Sequence, residues 1–64
     1  MVRINGELFD VQGKTLEEFL FHEGYDTNRV AVELNGDIIP KVYYKDTYLS
    51  DGDNVEIVSF VGGG

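Results

Sequence analysis

Three signals in this 64-residue chain predict an α+β fold, a small mixed sheet of four to five strands with one main helix packed on one face. Asn-Gly occurs twice, each time after a run that alternates apolar and polar residues. A helix-capping signature lies between those two places. The final apolar run, Val55 to Val61, comes after a turn and leads into Gly62-Gly63-Gly64. Two hairpins around a helix, closed by a last strand, can bury a core by laying the helix across the sheet.

The first hairpin and the helix are specified locally. Val2-Arg3-Ile4 alternates, and Asn5-Gly6 leads into Glu7-Leu8-Phe9-Asp10-Val11. Both turn residues tolerate the positive φ of a type I′ turn, which makes Asn-Gly the strongest short hairpin signal. Thr15-Leu16-Glu17-Glu18 reads as a capping box, Thr at the N-cap and Glu three residues on, satisfying two orphan amides reciprocally. Leu16, Phe19 and Leu20 fall at i, i+3 and i+4, one apolar stripe, and Gly24 is placed to end the helix in the left-handed conformation. Phe21 lies ~140° around the helix from Leu16 at ~100° per residue, off that stripe. It is expected to pack under a neighbouring loop, the alternative being exposure for contact.

Beyond Tyr25 to Arg29, Val30, Val32 and Leu34 share one strand face, with Ala31 and Glu33 on the other. Asn35-Gly36 turns the chain into Asp37-Ile38-Ile39. Pro40 demotes the next stretch to an edge strand or an irregular segment, and Lys41 to Ser50 carries Tyr43, Tyr44 and Tyr48 without clear periodicity. Asp51-Gly52-Asp53 is a turn, and Val55 to Val61 is the last strand. Everything between the first and last strands forms one long crossover, so those two can pair in parallel at the sheet centre. This is the β-grasp, or ubiquitin-like, arrangement. It is read as one domain over residues 1–61, with a flexible glycine tail over 62–64.

Bulk properties narrow the function. A chain this short buries only about 60% of the surface its unfolded form exposes. With no cysteine and one histidine, it has no disulfide, no thiolate-bound metal and no His-rich metal site to reinforce it. Twelve acidic against five basic residues give a net charge of −7. Binding a phosphate backbone relies on Lys and Arg displacing counterions, so nucleic acid is excluded as a partner and a basic docking surface is favoured. No apolar run approaches the roughly 20 residues of a membrane span, and no signal-peptide core opens the chain. A cytoplasmic protein is expected.

No self-sufficient catalytic set is present. His22 sits near the predicted helix end, where a cation suits the dipole. Asp51-Gly52-Asp53-Asn54 lacks the spacing and distal Glu of a calcium loop. The terminal glycines precede no helix, so they cradle no phosphate. The reactive group is then the carboxylate of Gly64. Three successive glycines arise by chance about 3 times in 10,000 at average usage. Lacking Cβ atoms, they suit a narrow partner channel that excludes water from an activated acyl group. If Val55 and Ile57 face the helix, Val58 and Phe60 lie apolar on the open face. Unless a loop covers them, they are natural anchors for a partner.

Several stretches together resemble the ThiS family of sulfur-carrier proteins of thiazole biosynthesis. They are Ile4-Asn5-Gly6-Glu7, the Thr15-Leu16-Glu17-Glu18 helix start, Val32 to Pro40 (VELNGDIIP), and Leu49 to Gly64 (LSDGDNVEIVSFVGGG). The resemblance implies that a ThiF-type, E1-like enzyme adenylates the Gly64 carboxylate. A persulfide, supplied through a cysteine desulfurase, would convert it to a thiocarboxylate, and a ThiG-type thiazole synthase would accept the sulfur. Gly63 and Gly64 match the family's di-glycine and Gly62 extends it. ATP and magnesium would belong to the partner, and this chain would bind no cofactor and be a protein co-substrate, not an enzyme. Lys41-Val42-Tyr43-Tyr44-Lys45 departs from the family pattern, in which a Pro-Arg start to a short helical turn is common. A carrier for molybdopterin or another thiocarboxylate pathway, and a ubiquitin-like binding module with inert glycines, are the alternatives.

Overall fold

A computed structural model of the chain describes residues 1–61. Five strands and one α-helix alternate as β1 (Val2–Ile4), β2 (Glu7–Phe9), α1 (Leu16–His22), β3 (Val30–Leu34), β4 (Asp37–Ile39) and β5 (Asn54–Ser59). Short 3₁₀ helices cover Thr27–Arg29 and Lys41–Asp46. The strands form one sheet in the order β2-β1-β5-β3-β4. β5 runs parallel to β1 and antiparallel to β3, and β2 and β4 flank that central trio. The expected fold class and its central parallel pair are both present.

Local chemistry accounts for the boundaries. Asn5 and Gly6 have φ of 49° and 84°, Asn35 and Gly36 of 51° and 89°, the paired positive values of type I′ turns. At the start of α1, the Thr15 hydroxyl accepts from the Glu18 amide at 3.1 Å, and the Glu18 carboxylate accepts from the Thr15 amide at 2.8 Å. Its end is a Schellman motif. Gly24, at φ 82°, donates to the Phe21 carbonyl, and Tyr25 donates to that of Leu20. These bonds satisfy carbonyls that a seven-residue helix would otherwise leave open.

One face of the sheet carries the core. Val2, Ile4, Val32, Val55 and Ile57 meet Leu16, Phe19 and Leu20 of α1. Phe9 closes the β2 side by an edge-on contact with Phe19, ring centroids 5.3 Å apart. The aperiodic segment after Pro40 is not an edge strand. Its 3₁₀ helix inserts Tyr44 into the core at 3% exposure, while Val42 and Tyr43 stay outside. Burial raises the Tyr44 phenol above the ordinary tyrosine range, partly opposed by a hydrogen bond with the Val32 backbone. Beyond it, Thr47 and Leu49 are stitched to Lys14 and Leu16 by backbone hydrogen bonds, which seat Leu49 in the core.

Phe21 is a correction. It packs under no loop and is 84% exposed: Tyr25, Asp26 and Thr27 of the following loop border an open cleft beside its ring and do not cover it. No helix among the described residues is long and apolar enough to cross a membrane.

Candidate functional site

The candidate site is the C-terminal half of β5 together with the residues after it. Gly62, Gly63 and Gly64, the expected channel tail with its reactive carboxylate, lie outside the described residues. The surface leading to them is described. β5 is the most embedded strand of the sheet, bonded to β3 along its whole length and to β1 at its start. Its regular ladder ends at Ser59, two residues before the expected Val61. Phe60 still donates its amide to the Arg29 carbonyl at 2.9 Å, so the strand direction is held one residue further.

Side chains along β5 alternate strictly between the two faces. Val55 and Ile57 are buried against α1, as expected, and Val58 and Phe60 point to the open face at 61% and 43% exposure. No loop among the described residues covers them. The register places Ala31 directly beside Val58. Further out on the same face lie Leu8 opposite Arg3, and Ile38 opposite Glu33. Ala31, Val58 and Phe60 thus form the apolar surface beside the exit of the chain, and Arg3, Glu33 and Glu56 lie between them and the outlying Leu8 and Ile38.

The same register sets Glu33 directly opposite Glu56. Like charges facing each other across strands destabilise a sheet. Arg3, a cation on the same face, is turned toward the Gly6 carbonyl at 3.3 Å. No ion pair among the described residues neutralises either glutamate.

Sequence reasoning missed two positioning residues. The asparagines of both hairpin turns grip β5 through their side chains. The Asn5 side-chain carbonyl accepts from the Ile57 amide at 2.7 Å, and its NH₂ donates to the Ile57 carbonyl at 3.1 Å. β1 ends at Ile4 and the Asn5 backbone amide donates to Val55, so the Asn5 side chain supplies the next rung of the parallel ladder. At the other end of β5, the Asn35 side chain accepts from the Asn54 amide at 2.8 Å and donates to Asp53 at 3.0 Å. The available signal was that each turn asparagine immediately succeeds a strand adjacent to β5.

No three His, Cys, Asp or Glu side chains gather to hold a metal among the described residues. His22 occupies the last turn of α1, away from the open face.

Comparison with known proteins adds the family. The ThiS family pattern matches residues 2–64. The chain is 42% identical over its whole length, and over the whole of the relative, to the sulfur carrier protein ThiS of Thermus thermophilus. It is 45% identical over 62 residues to part of a thiazole synthase of Paramagnetospirillum magneticum, where the match spans 95% of this chain but 19% of that protein. In three dimensions it resembles the crystal structure of a thiamine biosynthesis protein (ThiS) of Geobacter metallireducens. The TM-score is 0.77 at 30% identity, covering 98% of this chain and 97% of that one. A family match through residue 64 and a shared fold of the same extent establish that this chain belongs to the ThiS family.

Proposed function

We propose that the chain is a cytoplasmic sulfur carrier in thiamine biosynthesis, with the Gly64 carboxylate as its working group. The observation that carries this reading is the end-to-end match to a sulfur carrier. The chain supplies no catalyst of its own and acts as a co-substrate. A carboxylate is a poor acyl donor because oxide would have to leave. Attack of its oxygen on the α-phosphate of ATP, with loss of pyrophosphate, gives an acyl adenylate from which AMP leaves readily. A persulfide sulfur then attacks the acyl carbon, and a second thiol cleaves the resulting S–S bond, releasing the thiocarboxylate. Adenylation, magnesium and persulfide belong to a ThiF-type enzyme and its sulfur donor.

The surface beside the tail supports docking onto such an enzyme. Val58 and Phe60 offer apolar anchors, and the opposed Glu33 and Glu56 gain when a partner brings a cation between them. Gly62 to Gly64 would thread the partner's channel, where a side chain would block close approach. The likeness to part of a thiazole synthase supports a ThiG-type synthase as sulfur acceptor.

The test is direct. The chain is incubated with ATP, magnesium, its host's E1-like enzyme and a persulfide source, and its intact mass is measured. The expected gain equals the difference between one sulfur and one oxygen atom. Deleting Gly64, or replacing Gly63→Val, should abolish the gain and leave the melting curve unchanged. No adenylate and no mass change with the cognate enzyme would defeat the proposal.

A further inference from the structure

The carrier chemistry leaves Phe21 unused. A lone exposed apolar side chain is ordinary on a protein surface and by itself signifies nothing. Phe21 differs because two open clefts meet at its ring. The larger, about 500 Å³, is lined by Glu17, Glu18, Tyr25, Asp26 and Thr27 together with Phe21. The smaller, about 360 Å³, lies between Phe21, Glu18, Lys14 and His22.

The charged groups lining the larger cleft are all carboxylates. Glu17 and Glu18 precede Phe21 by four and three residues, the spacings that bring helix side chains together. Glu18 is engaged by the Thr15 amide. Asp26 accepts from the Asn28 amide and meets Arg29 at 3.5 Å, an exposed and weak pairing. Glu17 takes part in no ion pair among the described residues. The cleft therefore joins an open aromatic face to an available carboxylate, on a body of net charge −7.

We propose that the outer face of α1, centred on Phe21, docks an arginine-bearing segment of a protein partner. A guanidinium stacks flat on an aromatic ring while its N–H fork meets a carboxylate at the ring's edge. It is planar and weakly hydrated, so it suits this site better than an ammonium group. Because α1 covers one face of the sheet and Val58 and Phe60 lie on the other, this site can be filled while the tail is engaged elsewhere. The inference goes beyond the carrier reading and does not depend on it.

The test uses the isotope-labelled full chain titrated with the peptide acetyl-Leu-Arg-Leu-amide and monitored by amide NMR shifts. A peptide with norleucine in place of arginine is the control. Shifts should cluster at Glu17, Phe21, Tyr25 and Asp26, and should weaken as salt screens the charges. Phe21→Ser and Glu17→Gln should each weaken binding by about two- to fivefold. Both residues lie on the solvent side of the helix, so the melting curve should not move. Shifts confined to the open sheet face, equal binding of the norleucine peptide, or undiminished binding by Phe21→Ser would overturn the proposal. So would sedimentation showing a wild-type dimer that Phe21→Ser dissolves, since the occupant would then be a second copy.

Discussion

Replacing Asn5 separates the two tasks this residue performs. In Asn5→Gly the positive φ is retained without strain, so what is lost is the pair of side-chain bonds to Ile57. Each such bond contributes about 0.5–1.5 kcal/mol net, and a buried group left unsatisfied costs about 1–3 kcal/mol. Both bonds are only partly buried, so water replaces them in part. The resulting loss is roughly 1–3 kcal/mol. Asn5→Ala loses the same bonds and adds the left-handed penalty for a residue with a Cβ, about 1–2 kcal/mol. A chain of this size has a total stability of only about 3–10 kcal/mol.

Thermal and urea unfolding monitored by circular dichroism read these differences. At about 4–8 °C per kcal/mol for so small a domain, Asn5→Gly should melt roughly 5–20 °C lower and Asn5→Ala lower still. Asn35→Gly is the internal control. Its bonds to Asp53 and Asn54 are exposed, so its cost should stay below about 1 kcal/mol. Hydrogen exchange at the Ile57 amide should accelerate in both Asn5 variants. If Asn5→Gly melts with the wild type, or Asn5→Ala is the more stable of the two, then the side-chain rung does not hold β5 and the reasoning fails.

Phe60→Ser should leave the melting curve nearly unchanged, because the ring projects from the open face, while raising KM for the proposed adenylating enzyme by about tenfold, the scale of one docking anchor, if Phe60 anchors it as proposed. Glu56→Gln should stabilise the free chain by about 0.2–1 kcal/mol, relieving the clash with Glu33, yet slow association with that enzyme at low salt, as urea melts and stopped-flow binding would show. The Thr15 amide, then its hydroxyl, hold the Glu18 carboxyl below the ordinary glutamate range, with desolvation opposing and Lys14 assisting. A lowered native pKa means stabilisation that is present above the ordinary glutamate range and lost as pH falls through the native value. The melting advantage of wild type over Glu18→Gln should therefore shrink on acidification. An advantage that is constant with pH would contradict this.

The regular elements were legible because their signals are local. Two Asn-Gly pairs, a Thr-to-Glu cap and an alternating last strand each specify geometry within a few residues, and all agree on one topology. The segment after Pro40 was not legible. Its burial is decided by one residue, Tyr44, held on a 3₁₀ helix whose pattern is neither period two nor that of an α-helical stripe. Leu49 was missed for a related reason. It lies in no regular strand and is seated by backbone bonds to Gly13 and Lys14, partners distant in sequence. Phe21 was misplaced because helical periodicity tells which side chains miss the core and does not tell whether anything else covers them.

The same contrast explains the candidate site. The alternation of Val55, Ile57 and Val58 is enough to sort buried from open positions once the helix is on one face. The register that sets Glu33 against Glu56, and the reach of Asn5 to Ile57, depend on which strands are neighbours. Placing β5 between β1 and β3 also serves the proposed task. A tail leaving an edge strand could peel that strand away when a partner draws on it. Here the pull acts along a strand bonded on both sides, and the Asn5 rung extends the weaker, shorter β1 side as far as Ile57. The contribution of Asn5 should therefore be larger under load than at rest. When the proposed adenylating enzyme is bound, Asn5→Gly should show faster exchange at Ile57 relative to the free variant, whereas Asn35→Gly, at the far end of β5, should not.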